Sequence, residues 1–191
     1  MAKNPERRHF ILDAGLRVLA EEGSRGLTHR AIDRQAGLPE GTCANYFKTR
    51  DALMEALGER IFERLTPTEA ERARSAEAPP SRARLVDLMK RLMERVNREL
   101  DLQRALLELR LEAMRRPKLR THLANTLRRA VDADLAFHEA ARLPGGRFEI
   151  VLLHLAFEGL ILNTVTLPEV LDVAGRDDVT EALTLRLVID D

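Results

Sequence analysis

Apolar residues recur every three or four positions through most of the chain, which is the spacing of one face of a helix. The N-terminal part of this pattern predicts a first helix over residues 4–22, two short helices on either side of Gly37, and a fourth helix over residues 51–65, which Thr49 can cap. After Ser81 the pattern predicts only longer helices, one beginning at that residue and four more over residues 101–116, 118–142, 147–167 and 179–189. The fold class is therefore predicted to be all-α.

The two short helices carry the signals of a helix-turn-helix. Thr28 can cap the short helix before Gly37 by accepting hydrogen bonds from the free amides of that helix. Gly37 can adopt the left-handed conformation that ends the same helix. Pro39 is predicted to lie in the first turn of the second helix. Because Cys43 and Phe47 are four residues apart, they share one face and are predicted to point inward. The outward face is small and polar, which suits the major groove of DNA.

Charge agrees with this interpretation without establishing it. Residues 1–50 contain nine basic and six acidic side chains, and the rest of the chain has the opposite excess, so the formal net charge is zero. A basic end on an acidic body fits a protein that meets phosphate at one end only. An ordinary pair of short surface helices would give a similar pattern, because any glycine between two amphipathic segments resembles this turn.

Residues 11–57 resemble the DNA-binding domain of the TetR family of ligand-responsive transcriptional regulators. The matching positions are Ile11 to Ala14, Gly23, Leu27, Thr28, Ala36 to Leu38, Gly41, Thr42, Tyr46, Phe47 and Arg50 to Leu53. The resemblance implies an N-terminal three-helix DNA-binding domain over residues 1–50, linked by a helix over residues 51–65 to a larger effector-binding and dimerisation domain over residues 66–191. It departs at two positions: the family often has an aromatic residue in place of Ala44, and usually lysine in place of Arg50.

Motif and resemblance together predict a homodimeric repressor that binds a palindromic double-stranded DNA operator and is released by an unidentified small molecule. The residues predicted to lie against DNA are Thr28, His29, Arg30, Glu40, Gly41, Thr42, Ala44, Asn45, Tyr46, Lys48 and Arg50. The alternative is a helical ligand-binding or protein-interaction module without sequence-specific DNA binding. The missing aromatic side chain at Ala44 favours that alternative.

The helix over residues 147–167 is apolar nearly all round, which predicts burial on more than one side. The resemblance implies the same, since such proteins dimerise through their last two long helices. The residues predicted to line an effector site are Met89, Met93, Met114, Phe157, Glu158 and Asn163. The alternatives are that the apolar ones fill the core and that Glu158 forms an ion pair with His154, four residues before it.

Other classes of function find little support in the sequence. The histidines are scattered, no serine follows a strand in a nucleophile elbow, and no glycine-rich phosphate loop occurs, so we predict no enzyme, metal or cofactor. The single cysteine, Cys43, fits a reducing compartment, either as a buried apolar residue or as a redox sensor. His154, Glu158 and Asn163 interrupt the apolar run, so no membrane span is predicted. No signal peptide is recognised, and we expect a cytoplasmic protein.

Overall fold

The computed structural model describes residues 4–68, 79–171 and 175–188, and these residues contain helices and no β-strand. The all-α prediction is confirmed. The helices are α1 (Pro5–Gly26), α2 (His29–Ala36), α3 (Thr42–Tyr46), α4 (Arg50–Leu65), α5 (Arg82–Arg98), α6 (Leu100–Ala113), α7 (Pro117–Ala140), α8 (Arg147–Thr166) and α9 (Arg176–Leu187), with a 3-10 turn at Pro168–Leu171. Residue 189, the predicted end of the last helix, and residues 69–78 lie outside the described ranges.

One compact unit comprises Met1–Thr66 and Asp101–Ala130, and so contains α1 to α4, α6 and the first part of α7. Its core is built from the apolar stripe predicted for α1, from α4 and from α6. Fully buried members include Ile11, Leu12, Leu16, Leu19, Ile32, Leu53, Leu57, Ile61 and Leu109. A carboxylate and a guanidinium brace the same packing, because Asp13 on α1 accepts two hydrogen bonds from Arg60 on α4, at 2.9 and 3.0 Å.

The second compact unit comprises Pro67–Leu100 and Val131–Asp191, and so contains α5, the rest of α7, α8 and α9. Its core includes Leu85, Met93, Val96, Leu143, Leu153, Phe157 and Val188. Here α9 packs against α5, and Lys90 on α5 pairs with Glu181 on α9 at 2.6 Å between Nζ and Oε2. The predicted functional boundary at residue 66 stays a prediction.

Hydroxyl side chains begin three of the helices as the sequence predicts. The hydroxyls of Thr28, Thr49 and Ser81 each accept a hydrogen bond at 3.1 Å from the backbone N–H three residues later. Each satisfies one of the amides that a helix leaves unpaired in its first turn. Gly23 (φ 68°) interrupts α1 one residue after the predicted end at residue 22.

The burial of Met114 is predicted wrongly, and α7 begins one residue before its predicted start. A helix over residues 101–116 would place Met114 on one apolar face with Leu102 and Leu106, but its side chain is 78% exposed. The physical reason is that α6 ends at Ala113, so Met114 falls in the following turn. Pro117, which separates the two predicted helices, is itself the first residue of α7, a position where its missing N–H costs no intrahelical hydrogen bond.

The α8 helix is less buried than its apolar composition predicts. Only Leu153, Phe157 and Thr164 are buried along it, whereas Phe148, Val151, Leu155 and Leu162 are exposed. By length and composition it is the one helix in the described residues that could cross a membrane, with a mean hydropathy of 1.6. One such helix is weak evidence for a membrane protein, because buried helices of water-soluble proteins pass the same test.

Candidate nucleic-acid interface

The turn between α2 and α3 depends on two glycines with positive φ. Gly37 (φ 63°) ends α2, and the N–H groups of Gly37 and Leu38 donate to the carbonyls of Arg34 and Asp33 at 3.1 and 2.9 Å. Gly41 (φ 88°) precedes α3. A Cβ atom at either position would meet nothing within 4 Å, so the need for glycine comes from the backbone conformation and not from crowding.

The start of α3 differs from the prediction. Pro39 and Glu40 form a turn, and α3 begins only at Thr42. The reason is the left-handed Gly41, which interrupts the helical dihedral angles two residues after the proline. The Thr42 hydroxyl donates to the Pro39 carbonyl at 2.6 Å and so ties the turn to the first residue of the helix.

The inner face of α3 is fixed to the core of its unit. The predicted inward orientation of Cys43 and Phe47 is confirmed, because the side chains are 0% and 4% exposed. The Phe47 ring also lies 5.5 Å from the guanidinium carbon of Arg8 on α1. Tyr46 packs partly against the same core, with its ring centroid 6.5 Å from that of Phe47.

Asp33 is a site residue that sequence reasoning missed. Its side chain is 1% exposed, and its two carboxylate oxygens accept hydrogen bonds at 2.8 Å from the N–H groups of Gly41 and Cys43. In the sequence Asp33 counts only as one more acid on a short polar helix. The signal emerges only once the structure gives the start of α3: a glycine precedes the helix, so no side chain at that position can cap it.

The residues predicted to contact DNA lie at different depths. Those that are exposed are Thr28, Arg30, Glu40, Gly41, Asn45 and Lys48, and those that are half-buried are His29, Thr42, Ala44, Tyr46 and Arg50. The Arg30 and Glu40 side chains approach to 3.9 Å, but both are more than three-quarters exposed. Such a pair is screened by water and leaves both side chains free to rearrange.

Arg50 has a structural role that the sequence did not reveal. Its guanidinium donates to the backbone carbonyls of Ser24, in the last turn of α1, and of Leu27, in the connection between α1 and α2. A guanidinium has five N–H donors, so these two contacts leave three donors for a phosphate. The predicted phosphate contact of Arg50 therefore stays a prediction.

Ser24, in the last turn of α1, is also held by carboxylates of α6. Its N–H donates to Glu108 at 2.9 Å and its hydroxyl to Glu112 at 3.0 Å. Arg116 then joins Glu112 to Asp51 at the start of α4, with both contacts at 2.8 Å. The hydrogen bonds from Arg116, opposed in part by burial, lower the pKa of Glu112 to about 2.

The predicted effector residues do not form one group. Met93 and Phe157 are buried in the core of the second unit and Met89 packs against it, whereas Met114 belongs to the first unit. His154 and Glu158 approach to 3.6 Å with half-exposed side chains, which is the geometry of the alternative ion pair. Asn163 donates to the Leu167 carbonyl at 3.2 Å and so caps the end of α8.

Within the ranges that the structure describes, no three His, Cys, Asp or Glu side chains are arranged to hold a metal ion. The chemistry available at the outer face of α3 is therefore that of hydrogen bonds and charge. Asn45 offers an amide, Thr42 an accepting hydroxyl oxygen, and Lys48 a cation beyond the end of the helix. These are groups that bind base edges and phosphates.

Comparisons with known proteins agree with this architecture. Residues 11–57 match the family model of bacterial regulatory proteins of the tetR family, and residues 80–188 match the model of the Tetracyclin repressor-like C-terminal domain. A TetR family member from Streptomyces coelicolor A3 is 26% identical, with a TM-score of 0.70 over 97% of this chain and 99% of that one. The multidrug binding protein EbrR, complexed with imidazole, is 25% identical, with a TM-score of 0.69 over 98% of both chains.

Curated relatives match over a shorter stretch. An uncharacterized HTH-type transcriptional regulator in the dhlA 5′ region of Xanthobacter autotrophicus is 33% identical over 91 residues, which are 48% of this chain and 45% of that protein. The HTH-type transcriptional regulator BetI of Burkholderia thailandensis is 33% identical over 81 residues, 42% of each. The chain thus spans less than half the length of the curated relatives it matches. One family model covers residues 11–57, and the other covers more than half of the whole sequence. The chain therefore belongs to the TetR family of transcriptional regulators.

Proposed function

We propose that this chain is a homodimeric repressor that binds a palindromic operator and is released from it by a small-molecule effector. The observation that carries the proposal is the position of Asn45, exposed on a short helix whose opposite face is buried through Cys43 and Phe47. A helix held in this way can present an amide to base edges without moving within its own unit. Two such helices on a dimer can enter successive major grooves.

The predicted DNA residues divide into two roles. Asn45 can pair with adenine through two hydrogen bonds, and Glu40, Thr42 and Tyr46 lie near enough in sequence to contact neighbouring bases. Thr28, Lys48 and Arg50 contact phosphates, which fix the position of the protein but carry no sequence information. His29, Arg30, Gly41 and Ala44 complete the surface. Residues 1–50 then bind the operator, residues 51–65 transmit the signal, and residues 66–191 bind the effector and the second subunit.

The effector that fits this proposal is a small apolar or amphipathic compound. Met89, Met93 and Phe157 supply an apolar, adaptable lining in the second unit, and Glu158 can accept a hydrogen bond. Support comes from EbrR, which is similar over its full length and has been crystallised with imidazole and with malachite green. The effector acts by preferring one spacing of the two recognition helices. The protein works in the cytoplasm, without catalytic activity, metal or membrane partner.

A selection experiment tests DNA binding. The purified protein selects duplexes from a randomised pool, and the affinities of the selected duplex and of an unrelated duplex are measured at two salt concentrations. A regulator gives a strong preference for the selected duplex, whereas a module that has lost DNA recognition gives only weak, salt-sensitive binding to both.

Two substitutions separate the proposed roles of Asn45 and Lys48. N45A is expected to lower the affinity for the selected duplex by about tenfold and to change the affinity for the unrelated duplex little, because it removes a base contact. K48A is expected to lower the affinity for both duplexes by a similar factor. It should also reduce the slope of log affinity against log salt concentration by about one. Lys48 is a better probe than Arg50, because Arg50 also holds the connection between α1 and α2. The reverse pattern in the two variants would refute this assignment.

A further inference from the structure

Asp33 places a carboxylate inside the first unit, directly beneath the start of the recognition helix. The side chain is 1% exposed, and each of its oxygens accepts a backbone N–H from the first residues of α3 or the glycine before it. A buried carboxylate is unfavourable unless its oxygens are hydrogen-bonded, and the unpaired amides at the start of a helix are suitable donors. Asp33 therefore caps α3 from another helix.

The recognition helix needs such an external cap. At five residues it is too short to be stable by itself. The residue that precedes it, Gly41, has no side chain with which to cap it. Its orientation therefore depends on contacts with the rest of the unit, namely the packing of the buried Cys43 and Phe47 side chains and the carboxylate of Asp33.

These anchors act on different degrees of freedom. Cys43 and Phe47 hold the inner face of α3 through apolar packing, which tolerates small rotations of the helix. The two hydrogen bonds of Asp33 are directional and fix the first turn relative to α2. Base recognition by Asn45 or Thr42 requires paired hydrogen bonds of good geometry, whereas a phosphate contact by a long cationic side chain tolerates displacement.

We propose that Asp33 is a positioning residue that sets the orientation of α3 and thereby governs discrimination between DNA sequences more than overall affinity for DNA. This role rests on the proposed function, because it presumes that α3 reads bases. The capping contact itself does not depend on DNA and can be tested separately.

The test uses D33N, which keeps the shape of the side chain but replaces one accepting oxygen by an NH₂ group. D33N is expected to lower the affinity for the duplex selected by the wild-type protein by about tenfold and the affinity for an unrelated duplex of equal length by less than about twofold. The matched control is D13N, which removes a half-buried carboxylate paired with Arg60 in the same unit. It should lower the urea midpoint and leave the ratio of the two affinities unchanged.

A stability effect alone would reduce the folded fraction and weaken both duplexes in the same proportion, and that result would overturn the proposal. An unchanged ratio in D33N would overturn it too. If D33N does not fold, the ratio of the two affinities is measured for D33S, whose hydroxyl can still accept a hydrogen bond from one of the two N–H groups. If neither variant folds, Asp33 acts on the whole unit and the proposal fails.

Hydrogen exchange distinguishes a failure of this inference from a failure of the proposed function. The amides of Gly41 and Cys43 should be protected in the free wild-type protein, and the one that faces the new NH₂ group should lose protection selectively in D33N. The amide of Ala31, which donates to the Thr28 hydroxyl, should stay protected. Suppose that amide protection is lost selectively in D33N but the wild-type protein shows no preference between duplexes. The cap would then be supported and the proposed DNA function refuted. Equal amide protection in the wild-type protein and in D33N would show that Asp33 does not cap α3.

Discussion

The Cys43 thiol is enclosed in the core of the first unit, and its N–H donates to the Asp33 carboxylate. Burial, with a smaller contribution from the Asp33 charge, raises the pKa of the thiol to about 12. Because the thiolate is the reactive form, a thiol that resists ionisation is a poor nucleophile and a poor redox sensor. Of the two interpretations that the sequence left open, these surroundings favour a small buried apolar residue.

We predict that Cys43 in the native protein reacts with a thiol reagent at pH 8 at least about a hundredfold more slowly than in the urea-unfolded chain, since reaction requires local opening. The raised pKa also means that stability is retained below pH 9 and decreases as the pH rises from 9 towards 12, where the unfolded chain ionises and the folded one does not. Absorbance of the released thiol product measures the rate. A native rate close to the unfolded rate would contradict the prediction.

At the scale of the helices, the sequence predicted those features whose cause lies within one turn of chain. Thr28, Thr49 and Ser81 cap helices through the amide three residues later, and Gly37 ends one through its own dihedral angle. The start of α3 was misplaced because the sequence signal of Pro39 is overridden by the conformation of Gly41.

The features that the sequence did not predict involve partners that are distant along the chain. Asp33 accepts from residues eight and ten positions later, and Glu112 accepts from Ser24, 88 positions earlier. A carboxylate on a helix gives no local sign of such a partner, because most carboxylates on helices face water. Burial and hydrogen bonding of these acids follow from how the helices pack, and helical periodicity does not specify that packing in detail.

The Glu112 cluster gives a prediction about the stability of the first unit. E112Q is expected to lower the free energy of unfolding by roughly 2 kcal/mol at pH 7, because Arg116 and Ser24 lose a buried, charged acceptor. The pKa of Glu112 is about 2 when folded and 4.5 ordinarily, so its contribution is present above pH 4.5 and is lost as the pH falls towards 2. Urea unfolding should therefore show a difference between wild type and variant that shrinks over this range.

A control for E112Q is E181Q, which removes the more exposed partner of Lys90 in the second unit. An ion pair near the surface contributes little, so the urea midpoint of E181Q should stay close to that of the wild type. If E112Q were as stable as E181Q at pH 7, the cluster around Ser24 would not stabilise the unit.

At the scale of the whole molecule, α8 carries an apolar face that the described part of the chain leaves uncovered. Phe148, Leu155 and Leu162 recur every seven residues and are 69%, 59% and 50% exposed. This heptad spacing is typical of a seam between helices, and exposed apolar patches of this kind usually mark an interface. The family resemblance gives the occupant we propose, a second copy of the chain related by a two-fold axis.

Replacing Leu155 by a charged residue tests whether this face joins two subunits. L155E is expected to convert a dimer to a monomer in sedimentation velocity, because the interface would bury two unpaired carboxylates related by symmetry. M114E makes the same chemical change at a side chain that is 78% exposed in the other unit, and it should leave the sedimentation coefficient unchanged. The monomer should also bind a palindromic duplex no more tightly than a single half-site. In a dimer, binding of one DNA-binding domain raises the effective concentration of the other at the second half-site, and the monomer lacks this advantage. A dimeric L155E protein, or a monomeric wild type at micromolar concentration, would show that α8 serves a different contact.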